Sequence, residues 1–466
     1  MSIVTVQLGQ CGNQIGNQLF STIYNDAQVH QRLHRDYDSS SIERFFYASP
    51  NTACAPMPRA VLVDMESKVI QQTISSARRS KTWLYDERCV YTQKRGSGNN
   101  WANGYLCHGP SACDDILEMV QRQTERCDSL AGFLVLMSVA GGTGSGVGAR
   151  VSEEIKDSYP KSVLANQIVW PYDSGEVIVQ DYNTLLTTAH LQRVSDAILL
   201  LQNDQLHKVC SKLLRLKEIT FKDINSVVCH SLASVLQPSI RFDHHNQISS
   251  SAPDSLLYNM CSLTALQESL CPTPSYKMLS LKTIPQIPER SHEYTHYLWS
   301  GLLKHLRQML ITNSPIEEGM DWARDIGVQR PSRPTNPEQY ASLCSPDHFN
   351  TSLANLIVLR GNELNAVDTS GFTDPRLYSN SVPQSCTCSV WCSSLGFNGY
   401  EKTCTLVSNS QSCIRPLNSV CRKAWNMYTA KAYVHQYEKY GLDSEDFLSC
   451  FVTMEQLIKD YAGLQL

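Results

Sequence analysis

Up to about residue 202, short and nearly continuous apolar runs alternate with longer stretches of helical periodicity. The runs Ile3–Leu8, Ala60–Asp64, Phe133–Ser138, Gln167–Trp170 and Ala197–Leu201 show little of the apolar-polar alternation of a half-exposed strand. A strand that is apolar on both faces is covered on both, so the pattern predicts a parallel sheet between helical layers. From about 203 to 420 the pattern changes. Helices are expected around Ile224–Leu236 and Tyr297–Leu310, and strands at Lys277–Leu281 and Ser352–Leu359. Gln237–Pro253, rich in His, Ser and Asn, and the proline-rich Asn313–Pro346 read as loops or insertions (about 237–253 and 313–346) without regular structure. In the last region, 421–466, Phe447, Cys450, Phe451, Met454, Leu457, Ile458 and Tyr461 recur at helical spacing and mark one buried face. Gly441 ends the helix before it, on which Met427, Ala430, Val434 and Tyr437 mark a face, and Asp443 or Ser444 is expected to cap the last helix. Three regions result: 1–202, 203–420 and 421–466.

The densest chemistry lies at the end of the third run, in Ser138-Val-Ala-Gly-Gly-Thr-Gly-Ser-Gly146. A strand, a glycine-rich turn and a helix start form a phosphate cradle. Glycine allows close approach and positive φ, and the N–H groups of a helix start point at negative charge. Ser138, Thr143 and Ser145 add hydroxyls. A Walker-type loop requires a lysine after its last glycine, and Val147 follows Gly146 instead. Gly144-Ser-Gly-Val-Gly-Ala149 satisfies the dinucleotide fingerprint G-x-G-x-x-A, but that motif belongs to the first βα unit of its domain. A tight turn without a ligand is the plain alternative.

Three further segments resolve the choice. Gly9-Gln-Cys-Gly-Asn-Gln-Ile-Gly16 resembles the first nucleotide loop of tubulins, Ala60-Val-Leu-Val-Asp-Met-Glu66 the second and Gly96-Ser-Gly-Asn-Asn-Trp-Ala102 the third. Ala140–Gly146 is similar to the tubulin signature G-G-G-T-G-S-G, with alanine replacing the first glycine. The resemblance covers essentially the whole chain, and details at Met1–Gly9, Gly96–Trp101 and Ala424–Met427 look most like the delta branch. It implies an α/β fold: an N-terminal Rossmann-like GTP-binding domain with a parallel sheet, an α+β intermediate domain after a core helix, and a C-terminal helical hairpin.

The resemblance also implies a site for GTP or GDP with Mg²⁺. Gln10 and Cys11 are expected beside the phosphates and nucleoside, Asp64 and Glu66 near the metal, and Asn99 near the terminal phosphate. Ser138, Gly141, Gly142, Thr143, Gly144, Ser145 and Gly146 form the cradle, and Glu176 and Gln180 match the ribose-contacting segment. Asn203 and Asn225 match the asparagines that read guanine, a task suited to a carboxamide that donates and accepts together. Phe221 stands where tubulins stack a tyrosine on the base. In tubulins the residue that activates water for hydrolysis comes from a neighbouring subunit. That position falls here at Ala265, with Glu268 three residues on, so no catalytic residue is assigned and hydrolysis would be weak or partner-dependent.

Composition is that of an ordinary globular protein: 466 residues, 42% hydrophobic and 18% charged, with a net charge of −4 that favours no nucleic-acid partner. No apolar run is long enough for membrane insertion, and the N-terminus lacks the pattern of an export signal. With 18 cysteines and no export signal, reduced thiols packed as small hydrophobes are expected. Cys386-x-Cys388-x₃-Cys392 with Cys404 invites a zinc reading, but paired C-x₂-C spacing and a nearby histidine are lacking. The chain ends at Leu466 without the acidic run of microtubule-building tubulins. The expected role is a GTP-binding, delta-like tubulin of the cytoplasm and cytoskeleton. It would work at centrioles, basal bodies and cilia with other tubulins and centriolar or basal-body proteins. A conventional microtubule subunit and a Rossmann-type NAD(P) oxidoreductase are the alternatives.

Overall fold

A computed structural model describes residues 1–31, 34–48, 55–175, 177–242, 258, 261–323 and 349–465. They pack into two compact units. The first comprises 1–21, 41–203 and 419–456, and the second 22–40, 204–418 and 457–466.

The first unit is built on parallel strands β1 (Ser2–Leu8), β4 (Ala60–Asp64), β5 (Val90–Thr92), β6 (Leu130–Ser138), β7 (Val163–Trp170) and β8 (Ala197–Gln202), in the order β5-β4-β1-β6-β7-β8. The two-residue strands β2 (Phe46–Tyr47) and β3 (Met57–Pro58) pair separately. Helices α1 (Gly9–His30), α2 (Arg35–Phe45), α3 (Ser67–Ser80), α4 (Gly109–Thr124), α5 (Gly148–Ser158) and α6 (Gln180–Val194) occur between the strands in sequence. The apolar runs are strands because both their faces are covered: every residue of β1, β4 and β7 is buried. From β1 the chain builds β4 and β5 on one side and β6, β7 and β8 on the other. The order reverses between β1 and β6, and open α/β sheets bind ligands at such a switch point, beyond the strand C-termini. Thr5 pairs with Ala60 on one side of β1 and with Leu134 on the other, which aligns the ends of the three strands.

The second unit carries helices α7 (Asn203–Lys208, whose first residue ends the first unit), α8 (Phe221–Leu236), α9 (Leu263–Leu270) and α10 (Trp299–Thr312). Its strands are β9 (Ile240–Arg241), β10 (Met278–Ile284), β11 (Ser352–Gly361), β12 (Cys388–Ser393) and β13 (Lys402–Ser410). They are mixed, in the order β10-β13-β11-β12-β9, with only β11 and β12 parallel. Trp299, Leu303, Leu306 and Leu310 of α10 pack on Ile284, Ile357, Leu359 and Leu406 of the strands.

Besides the two-residue strands β2, β3 and β9, strands β5, β12 and β13 were not expected from the pattern. β5 has three residues, and β12 and β13 carry Ser, Thr, Lys and Asn at positions that are nonetheless buried or half-buried. The expected loop from Gln237 begins instead as ordered chain: Gln237 is buried and Arg241 pairs with Trp391. The remainder of that segment, 243–253, and 324–346 of the other lie outside the described residues.

The C-terminal stripe is buried as its spacing required, with Phe447, Met454 and Tyr461 at 0% exposure on α13 (Ser444–Ala462). Asp443 caps it: the Asp446 N–H donates to its Oδ1 at 2.9 Å, and Asp446 Oδ2 accepts in return from the Asp443 N–H at 3.2 Å. The preceding helix is not continuous. It divides into α11 (Ile414–Thr429) and α12 (Val434–Glu438), because Lys431 (φ 53°) and Tyr433 (φ 60°) are left-handed. Met427 and Ala430 therefore do not share a helical face with Val434 and Tyr437, and Ala430 is exposed.

Candidate nucleotide site

The first loop begins at Gly9, directly after β1, in a left-handed conformation (φ 68°). A Cβ there would lie 3.0 Å from the Gly144 nitrogen, so the first and fourth loops cross at this residue. Gln10 is exposed, and Cys11 is half-buried, with burial pushing its thiol up to about 12. Asn13, buried behind them, donates from Nδ2 to the Gly9 carbonyl at 2.8 Å and the Val63 carbonyl at 3.1 Å. One side chain thus ties the first loop to the strand that delivers the second.

That second loop holds the carboxylates. Asp64, the last residue of β4, is 5% exposed, while Glu66 reaches solvent. Burial, and to a lesser degree the neighbouring Glu66, pushes the Asp64 carboxyl up to about 6 against the hydrogen bond from the Glu66 N–H at 3.3 Å. A cation would stabilise the charged form of this acid. Across from it, a Cβ on Gly96 would meet Glu66 Oε1 at 2.7 Å, which puts the third loop against the second. In that loop Gly98 and the exposed Asn99 are both left-handed (φ 60° and 52°). Asparagine tolerates this conformation.

The fourth loop passes from β6 through a π-helical turn, Thr143–Val147, into α5. Its glycines serve a purpose different from the expected positive φ, which none of them adopts. A Cβ on Gly142 would lie 2.8 Å from the Asn100 nitrogen, and one on Gly146 only 2.3 Å from the Trp101 carbonyl oxygen. These glycines let the third loop lie directly on the cradle. Gly144 is pressed against Ser138, with 3.0 Å from its Cβ position to the Ser138 carbonyl. Gly141 has only Asn99 Oδ1 near, at 3.7 Å, and leaves its side of the loop open.

The hydroxyls divide as well. Thr143 Oγ1 and Ser97 Oγ share a hydrogen bond of 2.6 Å between the fourth and third loops. Ser138 Oγ accepts from the Ala140 N–H at 3.4 Å. Ser145 is fully buried and donates to the Gly141 carbonyl, so its hydroxyl faces inward and only its backbone is left to serve an anion.

Among the remaining expected residues, Glu176 lies outside the described residues. Gln180 is 6% exposed and donates from Nε2 to the Tyr172 carbonyl at 2.9 Å, which closes the loop after β7 on itself. Asn203 follows β8 and is half-buried. In the second unit, Thr220 and Asp223 form a reciprocal cap, with Thr220 N–H to Asp223 Oδ2 at 2.9 Å, that starts α8 at Phe221. Phe221 is 59% exposed, and Asn225, one turn later, is buried. Ala265 lies in the first turn of α9, its N–H bonded to Ser262 Oγ at 3.2 Å, and Glu268 stands one turn on, exposed. No three His, Cys, Asp or Glu side chains among the described residues are grouped to hold a metal ion, the cysteines at 386–404 included.

Residues 2–211 match the GTPase domain of the Tubulin/FtsZ family. The tubulin delta chain of Canis lupus familiaris is 47% identical over 469 residues, with all of both chains covered. The chain belongs to the tubulin family. The tubulin delta chains of Mus musculus and Homo sapiens are likewise 47% identical over 469 residues and the full length of both chains. This is therefore a delta-like tubulin, a cytoskeletal protein whose GTPase domain binds GTP or GDP, and membership brings association with other tubulins. No described helix is long and apolar enough to cross a membrane. The NAD(P) reading of Gly144–Ala149 lapses with the family assignment; in the structure the helical turn begins one residue before this stretch, at Thr143.

Neither motif nor periodicity marks Asn13, Ser97 or Asn183 as functional. Asn13 and Ser97 lie within matched motifs and Asn183 outside them, and only their contacts separate them from incidental polar residues.

Proposed function

We propose that Gln10, Cys11, Asn99, Ser138, Gly141, Gly142, Thr143, Gly144, Ser145 and Gly146 form the phosphate end of one GTP site, with Asp64 and Glu66 beside its Mg²⁺. The observation that carries this reading is the contact of all four loops at the ends of β1, β4 and β6, through Gly9 on Gly144, Glu66 on Gly96 and Ser97 on Thr143. Asp64 and Glu66 are hard oxygen donors and suit Mg²⁺, which is commonly held by one or two carboxylates together with phosphates and water. Bound there, the metal would neutralise phosphate charge. The chain's own part is to hold the phosphates against backbone N–H groups and to place the Asp64 carboxyl where burial disfavours its charge and a cation would restore it. Glu176, Gln180 and Asn203 would contact ribose and base. Phe221 and Asn225, at the start of α8, supply the stacking ring and second carboxamide expected for guanine.

The three-part division at 202 and 420 fits this use: a nucleotide domain, an intermediate domain and C-terminal helices. Hydrolysis within a row of identical copies is weak, because Ala265 offers no proton acceptor where a neighbour's activating group is expected. Glu268, one turn on, or a carboxylate from a different tubulin would restore it. The role that follows is association with other tubulins and with centriolar or basal-body proteins in the assembly or maintenance of centrioles and cilia. Its 47% identity to tubulin delta chains supports that role over bulk microtubule building.

The test is the nucleotide released on denaturing protein purified with Mg²⁺ and GTP. GTP is expected. GDP would mean that an activator operates in the isolated chain, and no guanine nucleotide would remove the site.

A further inference from the structure

Asn183 sits on α6, outside every matched motif, with 0% of its surface exposed. Its side chain makes all four hydrogen bonds open to a carboxamide. Nδ2 donates to the Asn99 carbonyl at 2.8 Å and to the Ala140 carbonyl at 2.7 Å. Oδ1 accepts from the Trp101 N–H at 3.0 Å and from the Tyr437 hydroxyl at 2.7 Å. The orientation is forced, since two partners are carbonyls that only accept and the Trp101 N–H only donates.

These partners are not scattered. Asn99 and Trp101 belong to the third loop, Ala140 to the fourth, and Tyr437 to α12 near the end of the chain. The neighbouring residues repeat the link, with Asn100 Nδ2 donating to the Gln436 carbonyl at 3.3 Å. Asn99 is left-handed and exposed, and Asn183 ties its backbone carbonyl to α6. Tyr437, 0% exposed, holds Asn183 in turn.

We infer that Asn183 and Tyr437 are positioning residues of the nucleotide site: the carboxamide fixes the Asn99 loop onto the cradle, and α12 fixes the carboxamide. The inference rests on the reading of the site given above, in which Asn99 serves the terminal phosphate. It makes the third loop, and with it any discrimination between GTP and GDP, depend on a segment of α12 outside the residues proposed to contact the nucleotide. A partner that shifts α12 would change which nucleotide is held.

The experiment is measurement of GTP and GDP affinities, with Mg²⁺, for the full chain and three variants. Asn183→Asp keeps the shape and the acceptor but removes both donations. It is expected to lower GTP affinity relative to GDP by about tenfold, the effect of one or two lost hydrogen bonds. Tyr437→Phe removes one hydroxyl, keeps the ring, and is expected to lower that ratio by about threefold even should Asn183→Asp fail to fold. Tyr182→Phe is the control, because the Tyr182 hydroxyl binds the Ala432 carbonyl at 3.0 Å, near α12, without reaching either loop. An unchanged ratio there supports the inference. Equal loss of GTP and GDP affinity in Tyr437→Phe, a lowered melting temperature with the ratio intact, or an equal shift in Tyr182→Phe would each overturn it. Failure of the unaltered chain to bind either nucleotide would instead remove the site reading beneath it.

Discussion

In the first unit the polar side chains of the proposed site stand at or beyond the ends of strands. In the second, polar side chains fill the middle of them. Every residue of Lys402–Ser410 in β13 is buried, although the segment reads Lys-Thr-Cys-Thr-Leu-Val-Ser-Asn-Ser. Asn409 Nδ2 donates to the carbonyls of Leu270 at 2.7 Å and Tyr276 at 2.9 Å, while its Oδ1 accepts from the Tyr461 hydroxyl at 2.9 Å. Arg360 of β11, 1% exposed, donates to the carbonyls of Ser234 at 2.6 Å, Gln237 at 2.7 Å and Pro238 at 3.1 Å, closing the C-terminal end of α8. Asp64 ends β4 and Thr143 lies just beyond β6, strands whose other residues are largely apolar. Buried polar groups with protein partners hold a scaffold together; those at strand ends remain available to a ligand.

The contrast is broken most directly at Arg360. Arg360→Met strands three buried carbonyls and should destabilise the protein by about 3–5 kcal/mol in denaturant melts. A loss under about 1 kcal/mol would show that water or a neighbour replaces the guanidinium.

Lys282 gives the next largest effect. Its Nζ donates to the Met309 carbonyl at 2.8 Å and to Asn313 Oδ1 at 3.2 Å, and burial pushes the amine down to about 7. Between that value and the unfolded value of about 10.4, the unfolded chain holds more protons than the folded one, so stability should rise with pH across this window. The rise should amount to a few kcal/mol at most. It should be absent in Lys282→Met, and stability curves at several pH values check this.

At a strand end the signature should invert. Burial raises the Asp64 carboxyl to about 6, so without ligand the folded state loses stability as pH rises from about 4, its unfolded value, through 6. Asp64→Asn should remove that loss and raise the nucleotide-free melting stability at pH 7 by about 2 kcal/mol, while weakening Mg²⁺-dependent GTP binding by about tenfold or more. Melting and Mg²⁺ titration together separate the two, and a variant destabilised without ligand would make Asp64 a scaffold residue. The smallest effect is expected at Thr143→Ala, about three- to tenfold in GTP affinity with little change in melting. Unchanged affinity would reduce Thr143 to a link with Ser97.

The apolar runs announced five of the six parallel strands, because strands covered on both faces need apolar residues on both. The stripe from Phe447 to Tyr461 announced the last helix for the same reason. β13 was hidden, since Thr405, Ser408 and Asn409 look exposed until their partners are known. The glycines of Ala140–Gly146 were singled out as anion-approach residues. The structure uses Gly142 and Gly146 to admit the Asn100–Trp101 backbone, a contact that no spacing within the loop can show.

The sequence by itself determined the layered α/β fold, the family, the four loops and the strand ends they occupy, because periodicity and local motifs are properties of neighbouring residues. Tertiary structure alone decided that Ser145 turns inward, that Lys431 and Tyr433 split the helix before Gly441, and that Asn183 and Tyr437 stand behind the Asn99 loop. These depend on contacts between residues as far apart as 99, 183 and 437, and hydrogen bonds over such separations leave no periodic mark on the chain.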